Sequence, residues 1–411
     1  MQKSGRARAV AEDKQTWALI SVASIPLVMT LGNSMLIPVL PTMEKEMGVS
    51  ALQVSMVITV YSVVAIILIP IAGFLSDQYG RKKVIIPSLL IAAVGGAISG
   101  WAAWQLPNPY ALIIAGRFLQ GVGAAGAAPI VMPLVGDMFK NEQDVSNGLG
   151  IVETSNTFGK VLSPILGAAL AAVVWYLPFF AFPVFCLISV LLMVLLVHTP
   201  KKSDKPPKFK EFLKSIKKVF HQEGRWLYAI FGVGCICMFV IFGILFYLST
   251  LLEEEHGIKD IKKGVILAIP LAALCLSSYV TGKLIGKDKN LMKWATLTGL
   301  LLLMVCNICV AFSKDIYVLL SAMFASGIGI GVALPCMDAL VTEGIAKEQR
   351  GTVTSIYSSM RFVGIALAPP VIALLMKASH PLLFAVLAGV SLVAAVLTVL
   401  FIRPHEKNYA E

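Results

Sequence analysis

The chain has 411 residues, of which 57% are hydrophobic and only 14% charged, with a formal net charge of +11. An average soluble domain carries roughly one quarter charged residues, so this composition excludes a water-solvated globule. The excess of cations raises a nucleic-acid partner as a reading, which their placement along the chain then excludes.

Twelve apolar runs reach the roughly 20 residues needed to cross a hydrocarbon layer about 30 Å thick. In chain order the predicted spans are 17–38, 51–75, 84–104, 109–135, 147–173, 179–197, 226–249, 264–282, 291–312, 316–338, 352–376 and 381–402. Their length predicts helices, because a β-barrel strand needs only about ten residues with every second one facing lipid. With the N-terminus taken as inside, most Lys and Arg fall in the inner segments. The outer segments hold only Lys45, Lys259, Lys262, Lys263, Lys314 and Lys377. This is the positive-inside pattern, so the basic charge sets orientation, needs no nucleic acid, and puts both termini in the cytoplasm of a multi-pass cell-membrane protein. The first span follows a basic segment and precedes LIPVLPTMEKEM, with no small-residue cleavage site, and reads as a retained membrane helix. All seven cysteines fall inside spans, and the CxxC of Cys306 and Cys309 reads as packing.

The longest polar stretch, HTPKKSDKPPKFKEFLKSIKKVFHQEGR, divides the chain into a six-span bundle at 1–198, a basic linker at 199–225 and a second six-span bundle at 226–411. Within it Phe209, Phe212, Leu213, Ile216, Val219 and Phe220 recur at helical spacing against Lys208, Lys210, Lys214, Lys217 and Lys218, which predicts a helix lying on the anionic inner surface. The halves repeat. One constant offset pairs Gly80 with Gly286, Arg81 with Lys287, Gly121 with Gly327, Gly123 with Gly329, Pro129 with Pro335, Asp137 with Glu343 and Pro164 with Pro370. Glycine, proline and charge are scarce in lipid-facing helices, so these matches predict two pseudo-symmetric six-helix bundles around a central site.

Between the second and third spans lies GFLSDQYGRKKV, with Gly73, Asp77, Gly80 and Arg81. This stretch closely resembles the signature loop of the major facilitator superfamily, and the resemblance extends over the whole chain. In drug–proton antiporters of that family the loop's acid and arginine join an acid at the end of the fourth helix and the start of the eleventh. The resemblance therefore implies a conformational latch of Asp77, Arg81 and Asp137, facing the helix that starts near Thr352. A carboxylate against a helix N-terminus gains about 0.3 to 1 kcal/mol, and the pair with Arg81 adds a bonded contact. In the second copy Lys283 stands where Asp77 should be, so only the first copy keeps the pattern.

In the fourth span, Arg117 and Gln120 of LIIAGRFLQGVGAAGAAP match a family motif that the resemblance associates with proton transfer. A cation at that depth costs at least about 2.5 kcal/mol and requires a partner or a cavity. In the fifth span, GIVETSNTFGKVLSPILGA sets Gly150, Gly159, Ser163, Pro164 and Gly167 at the spacing of the motif that marks exporters in this family. Ser163 and Ala168 stand where the family usually has glycine.

The fifth span also carries Glu153 and Lys160 on one face, about 10 Å apart in height at 1.5 Å per residue. Glu153 is the first candidate for proton coupling, since a carboxyl in a cavity that opens to each side in turn can bind and release a proton. Asp338 is the reserve, and an ion pair of Glu153 with Lys160 or Arg117 is the structural alternative. Arg117, Lys160 and Arg361 outnumber Glu153 among the deep charges, which disfavours a permanently cationic substrate. Asn33, Gln120, Asn156 and Tyr357 complete the candidate substrate cavity, with Tyr61, Tyr247 and Met360 as further contacts.

The expected function is proton-driven export of small amphiphilic molecules, as in multidrug efflux. The alternative is a dedicated exporter of an anionic or zwitterionic metabolite such as a siderophore, with a non-transporting sensor more remote. No cofactor beyond the proton gradient is expected, the partners are substrate, protons and the lipid bilayer, and the chain is expected to act as a monomer. An enzyme is not expected: the five histidines lie in loops or at span ends, and no HExxH or GxxxxGK[ST] pattern occurs.

Overall fold

In hydrocarbon every backbone N–H and C=O must be bonded within the chain, and a continuous apolar run achieves this only as a helix. The structure, a computed structural model, describes residues 2–139, 141–197, 209–286, 288–313, 315–345 and 347–402; the side chains of 2–14, 142, 143, 146, 209–223, 343 and 347–352 lie outside that description. Among the described residues the elements are α1 (Gln2–Ser34), a 3-10 turn (Ile37–Val39), α2 (Leu40–Met47), α3 (Ala51–Tyr79), α4 (Arg81–Gln105), α5 (Tyr110–Met138), α6 (Glu142–Val173), α7 (Leu177–Leu196), α8 (Phe209–Glu254), α9 (Asp260–Leu284), α10 (Lys289–Ala311), α11 (Ile316–Glu343), α12 (Lys347–Ala378) and α13 (His380–Phe401). Twelve of these stretches are long and apolar enough to cross a membrane, each overlapping one predicted span. The first span is not one helix: α1 ends at Ser34, and the turn with Pro38 at its start, then α2, carry the chain on to Met47. In α8 the helix begins at Phe209 and runs unbroken for 46 residues, about 69 Å at 1.5 Å per residue. The side chains predicted to form its amphipathic face at 209–220 lie outside the described residues, as do residues 198–208.

The chain divides into two compact units, Met1–Phe209 with Gly257–Val265, and Lys210–His256 with Ile266–Glu411. In the first, α4 packs on α5 and α7, α3 on α5, and α1 on α6 and α7; in the second, α10 packs on α11 and α13. Both units seat their fourth span by missing side chains. A Cβ on Gly121 would fall 2.5 Å from the Tyr61 carbonyl oxygen of α3, and one on Gly327 would fall 2.2 Å from the Pro270 carbonyl oxygen of α9. Gly123 stands equally close to Ser88 of α4, and Gly329 to Gly299 of α10. The offset read from the sequence therefore recurs as the same helix contacts in each unit. With no hydrophobic drive between helices in lipid, such backbone approach is what association rests on. A second device recurs with it. Lys82 of α4 donates to the carbonyls of Val194 and Val197 at the C-terminus of α7, and Lys293 of α10 donates to Val399 near the C-terminus of α13, placing a cation at the negative end of each helix.

Gly123→Val is expected to destabilise by about 1–3 kcal/mol, because its Cβ would lie 2.4 Å from backbone oxygen that cannot rotate away. Gly136→Val, on the same helix with nothing within 4 Å of its Cβ, should leave melting in detergent nearly unchanged. Equal losses for both would rule out close packing as the cause.

Exposed tryptophan and tyrosine side chains gather toward span ends: Trp17, Tyr79, Trp101, Trp104, Tyr279, Trp294 and Tyr317 are all more than a third exposed. Amphipathic rings belong at the boundary of hydrocarbon and water.

Candidate functional site

The α3–α4 corner turns on one glycine. Gly80 holds φ 100 and ψ 142, a conformation that side chains with a Cβ rarely adopt. Its N–H still closes α3 on the Ser76 carbonyl at 3.1 Å, and α4 begins at the next residue. The corner brings the Arg81 guanidinium back over the last turn of α3. Its Nη2 lies 2.7 Å from Asp77 Oδ1, its Nε donates to Asp137 Oδ2 at 3.2 Å, and its Nη1 donates to Ser76 Oγ at 2.6 Å. Ser76 Oγ in turn donates to the Gly73 carbonyl at 2.7 Å. The planar fork of an arginine suits this arrangement, in which one group serves two carboxylates and a hydroxyl on two neighbouring helices. Thr352 lies among the residues whose side chains are not described. In the second copy Lys283 lies over the Tyr279 ring at 4.4 Å.

Arg117 of α5 is completely buried. Its Nε donates to the Val57 carbonyl of α3 at 2.7 Å, Nη1 to the Gly32 carbonyl of α1 at 3.1 Å and to Gln120 Oε1, and Nη2 to Asn33 Oδ1 at 2.8 Å. The guanidinium carbon sits 4.5 Å from the centre of the Tyr61 ring. The break after Ser34 explains part of this cage, since the last carbonyls of a helix have no partner within it, and Gly32 is among them. Every group bonded to Arg117 among the described residues is neutral. Asn33 and Gln120, predicted to line a cavity, are themselves buried and bonded to this cation.

On α6, Gly159 lies against Leu27 and Thr30 of α1, and the close approach lets polar groups meet. Ser155 Oγ donates to the Ala23 carbonyl at 2.8 Å, and Thr30 Oγ1 donates to Asn156 Oδ1 at 2.6 Å. Asn156 Nδ2 then faces the Glu153 carboxylate at 3.3 and 3.5 Å. Among the described residues the side-chain partners of Glu153 are Asn156 and Thr157, neither charged. Further along, Ser163 Oγ donates to the Gly159 carbonyl at 2.5 Å, Pro164 is buried, and a Cβ on Gly167 would lie 2.0 Å from the Met35 carbonyl oxygen. Gly150 is exposed with open space around it, and Lys160 is half-buried.

In the second unit Arg361 of α12 donates from Nη1 to Asp338 Oδ1 of α11 at 3.4 Å and sits 5.7 Å from the centre of the Tyr357 ring. That ring stacks on Phe231 at 6.0 Å and fits against α8 because Gly234 leaves room for it. Separately, Tyr247 Oη lies 2.8 Å from His380 Nδ1, while His380 Nε2 donates to the carbonyls of Val310 and Ser313.

The sequence profile of the Major Facilitator Superfamily matches residues 22–298 and 288–410. The chain belongs to the major facilitator superfamily. Within the superfamily it is 55% identical to the bacillibactin exporter of Bacillus subtilis (strain 168) over 394 residues, 96% of this chain and 98% of that one. It is 25% identical to multidrug resistance protein 2 of the same organism over 389 residues, 91% of this chain and 92% of that one. It is 23% identical to the quinolone resistance protein NorA of Staphylococcus aureus (strain COL) over 390 residues, 93% and 95% of the two chains. Among solved structures, the human organic anion transporter MFSD10 (TETRAN) superposes with a TM-score of 0.73 at 18% identity, covering 93% of this chain and 99% of that one. A bacterial homologue of the human lysosomal transporter Spinster gives 0.72 at 15% identity, covering 94% and 95%. The fold is thus that of major facilitator transporters, an all-helical multi-pass membrane protein.

Set against that family, the structure brings Asp77, Arg81 and Asp137 into one network, Arg117, Asn33 and Gln120 into a second, Glu153 and Asn156 into a third, and Asp338, Arg361 and Tyr357 into a fourth. Sequence reasoning did not single out Ser76 or Thr30. Ser76 stands inside the quoted loop motif and could have been found there, whereas a threonine in an apolar span carries no signal of its own.

Proposed function

We propose that this chain exports an acidic metabolite of the siderophore type, with protons moving inward in exchange and no cofactor beyond the proton gradient. The observation that carries the reading is the 55% identity to the bacillibactin exporter over nearly the full length of both chains, about twice the identity to the multidrug and quinolone resistance proteins. The multidrug expectation gives way to its alternative on this ground. Charge supports the same choice, because Arg117 is a buried cation with neutral partners, and a low-dielectric site with that sign repels a permanently cationic cargo. The Asp338–Arg361 pair takes one cation out of the surplus read from the sequence.

In this reading Glu153 carries the proton and Asp338 is its reserve. Arg117 adds a permanent positive charge to the same unit, and Lys160, Arg361, Asn33, Gln120, Asn156 and Tyr357 belong to the substrate region. Asp77, Arg81 and Asp137 act as a latch, made while the adjoining ends of α3, α4 and α5 are together and broken in the opposite state, with Gly73 and Gly80 shaping the corner. Gly150, Gly159, Ser163, Pro164 and Gly167 keep α6 closely packed. The protein works as a monomer in the cell membrane with both termini cytoplasmic.

Everted membrane vesicles test the reading. Bacillibactin should accumulate inside when the vesicle interior is acidified, and collapsing the gradient should release it. Ethidium should be transported poorly. Robust ethidium transport with none of bacillibactin would return the chain to the multidrug class.

A further inference from the structure

We propose that Thr30 and Asn156 form a relay that positions Glu153 and serves both of its protonation states. The inference rests on the reading of Glu153 as the proton carrier. An ionised carboxylate can only accept hydrogen bonds, so the amide facing it must present its nitrogen. Asn156 Nδ2 does so, at 3.3 Å from Oε1 and 3.5 Å from Oε2. That orientation turns Asn156 Oδ1 toward α1, where the Thr30 hydroxyl donates to it at 2.6 Å. Thr30 therefore fixes which end of the amide Glu153 meets.

A protonated Glu153 needs the opposite. Its new O–H must find an acceptor, and two are within reach. Thr157 Oγ1 lies 3.4 Å from Oε1, and its single proton is held by the nearer Glu153 main-chain oxygen at 2.8 Å, which leaves a lone pair free. The second acceptor is Asn156 Oδ1, once the amide turns over. The turned amide directs Nδ2 at Thr30 Oγ1, which then accepts where before it donated. Only a hydroxyl can fill both roles without moving. The contact between α1 and α6 persists while the direction of its hydrogen bonds reverses, so α1 registers the charge on α6.

Among the described residues of α1, the 3-10 turn, α5, α6 and α7, no other group competes for this role. Between Gln15 and Ser34, α1 has no ionisable side chain, and the 3-10 turn has none. On α5, Arg117 is enclosed by its own acceptors and Asp137 is bonded to Arg81. On α7 the titratable group is the buried thiol of Cys186. On α6 itself the other charged groups with described side chains are Asp144 and Lys160, each about two turns or more away.

The test is pH-difference infrared spectroscopy of the full chain in lipid membranes. The wild type should have a protonated-carboxyl band that Glu153→Gln removes. In Thr30→Val the ionised form loses the bond that orients its amide donor, whereas the protonated form keeps Thr157 Oγ1 as an acceptor, so the midpoint of that band should rise by about one pH unit, the size that a hydrogen bond to a charged group supports. Thr30→Ser should restore it. If Thr30→Val does not fold, Asn156→Leu, which removes the donor, should raise the midpoint likewise. A Glu153 band that titrates alike in wild type and these variants overturns the relay alone. Absence of any band lost in Glu153→Gln defeats the proton-carrier reading and the relay together.

Discussion

Arg117→Ala is expected to produce the largest loss of stability of any single change on α5. The guanidinium serves acceptors on three helices, namely the carbonyls of Gly32 and Val57 and the side chains of Asn33 and Gln120. Removing it strands all four in a site sealed from water, and each buried acceptor without a donor costs about 1–3 kcal/mol. Relaxation recovers part of that, yet a net cost of several kcal/mol remains, together with a void beneath Tyr61. Thermal unfolding in detergent should register the loss as a melting temperature lower by several degrees. Arg117→Lys keeps the charge but is a compact point donor, unable to reach carbonyls on α1 and α3 at once, and should fall between alanine and wild type. A wild-type melting curve for Arg117→Ala would mean that the cage contributes no stability.

Glu153→Gln should have the largest effect on transport with little effect on folding. Glutamine has nearly the shape of glutamate and can still accept from Asn156 Nδ2, so the α1–α6 contact survives. It cannot ionise, so the cycle proposed above exchanges no proton. With one proton per substrate, a gradient of one pH unit supports about tenfold accumulation, because one unit is worth about 1.4 kcal/mol. Everted vesicles carrying the variant should therefore accumulate no bacillibactin above the external concentration, whatever the gradient. Accumulation at the wild-type level would move the proton to another group, with Asp338 next in line.

The fold was largely legible because hydrophobic length is a one-dimensional property. Each predicted span overlaps a membrane-length helix, and the paired glycines Gly121 with Gly327 and Gly123 with Gly329 mark contacts that recur in both units. Ends were less legible, since helix propensity does not stop where hydropathy does. The sequence predicts a surface helix within 209–220 and a span from residue 226 as separate elements, whereas one helix runs unbroken from Phe209 to Glu254.

The site was legible where its members fall within a few residues of one another. Asp77 and Arg81 stand four residues apart in the chain, and their loop could be read directly. The cage of Arg117 could not be, because two of its acceptors are backbone carbonyls that any residue would supply. Nor could the bond from Arg361 to Asp338, whose partners were noted singly and lie on different helices. Thr30 was invisible for a further reason: its role depends on which face of α1 meets α6, and an almost uniformly apolar helix does not reveal that face.

The neutral cage also fixes an electrical property. A guanidinium keeps its proton at any pH a cell meets, so the charge of Arg117 is permanent, and none of the groups bonded to it cancels it. A charge held inside hydrocarbon responds to membrane voltage, at about 2.3 kcal/mol per 100 mV for a full crossing. Any displacement of α5 along the membrane normal thus carries current, and the resting potential biases that displacement before substrate or proton arrives.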